Sequence, residues 1–205
     1  MNINDEFLKT MEEFKKNCHP HSFRNPQVYQ EWLAQTYFFV RHSTALLGFS
    51  LPYLKNDDLR HHFEKHLGEE TRHDSIALKD LQLMNRNINE FRPLHATEAF
   101  YQSQYYRIQF EGGTSLLGYI LFLEGIAVHW GKEVFTEVQK YHKGVHFARI
   151  HVSEDPVHLE GALKTISSLS EDQQLAIMNN LKFTQHMYEA IISEILQNNS
   201  LLKVA

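Results

Sequence analysis

At 205 residues, 42% of them hydrophobic and 22% charged, the chain is long enough to bury one large core and polar enough for an ordinary soluble domain. A formal net charge of −5 with no block of Lys or Arg argues against a nucleic-acid partner, because phosphate binding needs a clustered positive patch. The opening MNINDEFLK is acidic without an apolar centre, no apolar run approaches the roughly 18 residues of a membrane span, and Cys18 is alone, so a cytoplasmic protein with no membrane partner and no disulfide is expected.

A short helix is predicted over about 5–16. Asn25 before Pro26 is a helix start, with proline at the first helical position, and a helix over about 26–48 follows until Pro52 ends it. Asn56-Asp57-Asp58 opens a second long helix that runs to about Met84. Pro93 begins another, and Gly112-Gly113 separates it from a helix over 114–141. A further helix covers part of 145–168, with Pro156 breaking or starting it. Ser170, followed by Glu171 and Asp172, opens the last, over about 171–198. No segment alternates like a strand. The expected class is an all-α bundle forming a single domain over 1–205.

Three of these helices carry chemistry on the face that should be buried. In 57–84, Leu59, Phe63, Leu67, Ala77, Leu78 and Leu81 share a stripe with Glu70, and His73 follows three residues later. Glu69 falls instead with His62, Lys65 and Arg72, on a more polar face. In 114–141, Glu124 is the one charged residue in the run GTSLLGYILFLEGIAVHW, in line with Leu117, Ile120, Leu121, Ala127 and Val128. In HVSEDPVH, residues 151–158, His151, Asp155 and His158 lie one and two turns apart and lead into Ala162, Ile166 and Leu169. A buried, unpaired carboxylate is costly unless it neutralises itself or meets a cation.

Each feature alone has an ordinary reading. A Glu-x-x-His pair is common, a His-Asp-His row can be a solvated stripe, and Glu124 can pair with Arg41 or Arg107 in the core. Together they give three carboxylates and three imidazoles on inward faces. A mixed oxygen and nitrogen set in a bundle suits iron or manganese better than structural zinc. His66, one turn before Glu70, is expected to support a ligand rather than to be one. The other histidines of the 14 are expected to be ordinary surface residues.

The segments HLGEETRHDSIALKDL, LLGYILFLEG and HFARIHVSEDPVHLEGAL resemble the haem-oxygenase-like superfamily. Within it, the ordered set Glu, His, Glu, His-x-x-x-Asp-x-x-His is similar to the haem-oxygenase-like diiron oxidases, whose members include fatty-acid decarboxylases and a chlamydial death-domain-associating protein. The first segment is shared more widely, with relatives of pyrroloquinoline-quinone synthase and thiaminase II. The chain departs from some members, which place the first glutamate where this sequence has His66; others use the position of Glu70. The resemblance implies a seven-helix fold with two iron ions per chain and O2 as co-substrate. Glu70 and His151 would hold one ion, His73, Asp155 and His158 the other, and Glu124 would bridge them. It also implies oxidation of a small-molecule substrate, with a homodimer as the assembly considered. Tyr37, Arg41, Tyr119 and Phe122 are assigned to the pocket from their helices alone. Three rival functions stay open: a haem-binding oxygenase with His19, His21 or His42 as proximal ligand, a thiaminase II-like enzyme, which would need a nucleophilic cysteine, and a regulatory binding module.

Overall fold

The computed structural model describes residues 3–201, apart from the side chains of Glu154, Val157, Ser200 and Leu201. All regular elements among them are helical: α1 (Ile3–Asn17), α2 (Pro26–Val40), α3 (Ser43–Ser50), α4 (Asp57–Glu69), α5 (Asp74–Leu83), α6 (His95–Glu111), α7 (Leu116–Ile126), α8 (Lys132–Val138), α9 (His146–Ser167) and α10 (Glu171–Leu201). These ten helices occupy the seven segments expected, because three segments are interrupted.

The helix starts follow local chemistry. The Asn25 side chain accepts from the Gln27 N–H and Pro26 follows, which opens α2. Asn56 accepts from the Leu59 N–H at 2.9 Å and opens α4. The start of α6 is satisfied from other helices instead: Leu94 N–H donates to Gln35, and Ala96 N–H to Glu194.

The interruptions correct the sequence reading. The helix expected over 26–48 turns at Arg41–His42 into α3. The helix expected over 57–84 stops at Glu69, passes through a turn over Glu70–His73, and resumes at Asp74. Arg72 sits in that turn at φ +74°, a left-handed conformation that side chains with a Cβ rarely adopt. The helix expected over 114–141 widens into a π turn over Ala127–Gly131 between α7 and α8. Pro156, by contrast, neither breaks nor starts α9, which continues through it. A proline inside a helix costs about 3 kcal/mol. Here the buried Leu159, Ala162 and Ile166 of the same helix hold it in place through tertiary packing.

The long α10 packs against α7, α6, α1 and α2. Gly118 permits the α7 contact, since a Cβ there would lie 2.2 Å from the Ile177 carbonyl oxygen of α10. Phe14 meets the edges of Phe122, Trp130 and Tyr188 in an aromatic core. Asn180 donates to both Gln104 and the Ser115 carbonyl, so this buried amide ties α10 to α6 and to the entry of α7. At the other end, the fully buried Asp80 of α5 accepts from His146 Nδ1 at 2.7 Å and from the Phe147 N–H at 2.8 Å, which fixes where α9 begins.

Candidate metal centre

The C-terminal end of α4, the turn after it, α7 and α9 converge on one cavity of about 110 Å³. Its wall includes His66, Glu70, Glu124, His151, Asp155 and His158, set among apolar side chains such as Leu46, Ile120, Val134 and Phe147. His73 stands beside it, with its ring 5.5 Å from that of His151 and Nδ1 3.6 Å from Glu70 Oε1. All six residues singled out in the sequence therefore gather in one region.

Their grouping differs from the one the resemblance implied. His73 was assigned with Asp155 and His158; it stands instead with Glu70 and His151. His158, which lies 3.9 Å from Asp155 Oδ1, faces His66, expected as a support, and Glu69, expected on the polar face. The His158 ring lies 5.9 Å from that of His66, and its Nε2 is 3.9 Å from Glu69 Oε2. His66 also reaches Glu124 Oε1 at 3.8 Å and Glu70 Oε1 at 3.8 Å, so it occupies the middle of the cluster. Glu69 does pair with Lys65 at 3.2 Å, as a surface glutamate would. Its other oxygen turns inward, because α9 lies close enough to α4 for side chains about 100° apart on α4 to reach the same site. The available signal was spacing: residues 66, 69, 70 and 73 recur at steps of three and four.

Several of these side chains are held or tuned by their surroundings. His151 Nδ1 lies 2.8 Å from the Phe147 carbonyl; only an N–H can make that bond, so the ring's other nitrogen carries the lone pair. Burial holds the His66 imidazole below its usual pKa, against the attraction of Glu70, and keeps it neutral. Burial pushes Glu70 upward, but the imidazoles of His73, His66 and His151 outweigh it and leave the carboxyl below its ordinary value. Glu124 has no such help. Burial first, then Asp155, Glu70 and Glu69, push its pKa well above the carboxylate range. Neither Arg41 nor Arg107 reaches it: Arg107 pairs with Glu111 and lies over Phe183, and Arg41 lies over Tyr37. Glu124 Oε2 is buried with no hydrogen-bond partner among the described residues.

The separations of 3.6–3.9 Å are too long for hydrogen bonds. They lie between the separations of about 3.0 Å for adjacent and about 4.2 Å for opposite donors on one ion with bonds of about 2.1 Å. Among the described residues, no three His, Cys, Asp or Glu side chains already close on one ion. The donor types and the partnerless oxygen of Glu124 fit a cation. Holding an ion there would require these side chains to draw together.

No family model matches the sequence, and no curated protein does. The shape, however, matches solved structures over almost the whole chain. A domain of unknown function from Shewanella denitrificans, described as having a heme oxygenase-like fold, superposes with a TM-score of 0.87 at 15% identity, over 98% of this chain and 93% of that one. This chain has the haem-oxygenase-like fold. A TenA homologue from Pseudomonas syringae pv. tomato superposes on the same haem-oxygenase-like frame with a TM-score of 0.79 at 11% identity, over 96% of this chain and 93% of that one. Another, from Pyrococcus horikoshii, gives 0.76 at 12%, over 96% and 99%. At such identities the agreement concerns the fold.

Within this haem-oxygenase-like fold, Tyr119 lines the cavity as expected, but Tyr37, Arg41 and Phe122 do not. Phe122 is fully buried in the aromatic core, and Arg41 is exposed at the end of α2. The π turn contributes Ala127, Trp130 and Gly131 to the wall, which explains why the helical phase could not be carried through from 114 to 141. Cys18 lies outside the wall, and burial pushes its thiol up to about 12.

Proposed function

We propose that the chain is a non-haem diiron oxidase or oxygenase that uses O2 to oxidise a small organic substrate. The observation that carries the reading is Glu124. A carboxyl group only 6% exposed, with no Lys or Arg partner and one oxygen unsatisfied among the described residues, costs stability in a scaffold and is useful at a cation site. Around it stand carboxylates and imidazoles, the mixed donor set that iron takes in helical bundles. Glu70, His73 and His151 would hold one ion. Asp155 and His158 would hold the other, with Glu124 between the two and His66 and Glu69 beside the second. Bound iron would supply the electrons that reduce O2 and the oxidising power used on the substrate.

The protein's own contributions follow from what surrounds these groups. The Phe147 carbonyl orients His151, and burial keeps His66 in the neutral form that can donate a lone pair. Glu124 holds a proton until a cation replaces it, so metal uptake releases that proton. The apolar wall limits water around the reacting groups. A haem would need a histidine ligand at the cavity, and His19, His21 and His42 lie outside its wall. Thiaminase-type chemistry would need a reactive cysteine at the cavity, and Cys18 is buried behind its wall with a raised pKa.

The test is elemental analysis after anaerobic reconstitution. The full chain is expected to hold about two Fe(II), as helical-bundle diiron proteins do, and to consume O2 once reduced. Iron content no higher than that of a Glu124→Ala, His151→Ala double variant would defeat the proposal.

A further inference from the structure

Two hydroxyl groups on the cavity wall are missing the partners that their neighbours have. Thr36 is 1% exposed and Tyr119 3%; both line the cavity, and neither hydroxyl has a hydrogen-bond partner among the described residues. A threonine inside a helix ordinarily turns its hydroxyl back to the carbonyl four residues earlier. Thr10, Thr136, Thr165 and Thr184 all do so, at 2.7–2.9 Å. Thr36, in the middle of α2, does not. The buried tyrosines tell the same story. Tyr29 donates to the Gly144 carbonyl at 2.8 Å, and Tyr188 accepts from Trp32 Nε1 at 2.9 Å. Tyr119 does neither. A buried polar group left unpaired costs free energy, so two on one wall call for a partner from outside the chain.

Charge and size narrow what that partner is. The cavity wall among the described residues carries no Lys or Arg, while Glu70, Glu124 and Asp155 all face it. An anionic head group would find no permanently charged counter-ion there, only the imidazoles of His66, His151 and His158, and it would meet the Glu70 and Asp155 carboxylates; a cationic one would be drawn to those carboxylates instead of the hydroxyls. A cavity of about 110 Å³ is somewhat smaller than the engineered cavities of about 150 Å³ that admit benzene. From this we infer that the cavity takes an uncharged organic molecule on the order of six non-hydrogen atoms, mostly hydrocarbon, whose one polar group meets Thr36 and Tyr119. A hydroxyl, carbonyl or amide would serve, since each wall hydroxyl can both donate and accept. Binding of such a molecule by the metal-free cavity goes beyond the diiron reading and needs no iron.

The protein provides its own reporter. Its two tryptophans, Trp32 and Trp130, both line the cavity. The full chain, metal-free, is titrated with hexan-1-ol and separately with hexanoate while tryptophan emission is followed. Hexan-1-ol should give a saturable change, and hexanoate should bind at least about tenfold more weakly. Thr36→Val and Tyr119→Phe should each weaken hexan-1-ol about tenfold, the scale of one lost hydrogen bond. Both should also raise the Tm of the ligand-free protein, because an unsatisfied hydroxyl disappears. A merely damaged fold would instead lower the Tm. Equal affinity for hexanoate, no saturable change with hexan-1-ol, or unaltered hexan-1-ol affinity in both variants would overturn the inference. Repeating the titration beside an iron titration separates the two readings. Hexan-1-ol binding without iron uptake defeats the metal proposal alone, and iron uptake without hexan-1-ol binding defeats this one alone.

Discussion

At the scale of single residues, Glu124 sets the energetics of the site. Its raised pKa means that the folded chain prefers the protonated form. The stability this contributes is complete below the unfolded carboxylate pKa of about 4.3, and it is lost as pH rises through the higher folded value. Metal-free Glu124→Gln should therefore exceed the wild type in Tm by an amount that grows as pH rises above about 4.3. Thermal melts across that range check it, and a constant gap would count against the assignment. His66 runs the other way: its lowered pKa removes stability as pH falls below about 6.5, in wild type and variant alike. Glu69 and Glu70 make a second residue-scale test. Glu70→Gln should lose the ion next to His73 and His151. Glu69→Gln, expected from sequence to be silent, should now weaken the ion next to Asp155 and His158, since its Oε2 faces His158. Iron stoichiometry on the two variants distinguishes them, and full retention of iron by Glu69→Gln would return Glu69 to the surface.

At the scale of elements, the turn over Glu70–His73 is where the sequence reading and the structure diverge most usefully. Continuous helical phase would put Glu70 and His73 on one stripe, pointing along one face. The turn lets both reach the cavity region beside His151, and Arg72 at φ +74° is part of it. Arg72→Gly should relieve about 1 kcal/mol of backbone strain in the metal-free protein while loosening iron binding. Melting and iron titration on that one variant read both effects, and a lower Tm would show that the turn is not strained. The junction of α5 with α9 is the second element-level device. Asp80→Ala removes both bonds that hold the start of α9 and should cost about 2–3 kcal/mol. Because His151 and Asp155 ride on that helix, it should also lower iron affinity; hydrogen exchange confined to the first turns of α9 would report the loosening.

At the scale of the whole molecule, metal binding should appear as stability. An ion that binds only the folded chain raises its stability by about 2.7 kcal/mol at a hundredfold excess over Kd. Anaerobic Fe(II) should therefore raise the Tm of the wild type and leave that of Glu124→Ala, His151→Ala unchanged. Equal shifts in both would mean that the ions bind elsewhere.

Sequence by itself determined the helical class, the helix starts at Asn25 and Asn56, and the six candidate ligands. Each rests on local chemistry or on a period that persists over several turns: a capping amide, a fixed proline φ, a charged residue in an apolar run. It also placed Glu124 in the core, because no neighbouring residue in that run could solvate it. What only the tertiary structure decided is how the ligands are grouped and what else joins them. The turn at 70–73 and the π turn at 127–131 reset the helical phase, and a phase carried across either one points side chains the wrong way. His66 and Glu69 enter the cluster because His158 of α9 reaches across to them, an approach between segments some ninety residues apart that no local pattern records. The same holds for Thr36 and Tyr119, whose hydroxyls look ordinary in sequence and are unusual only because the packing gives them no partner among the described residues.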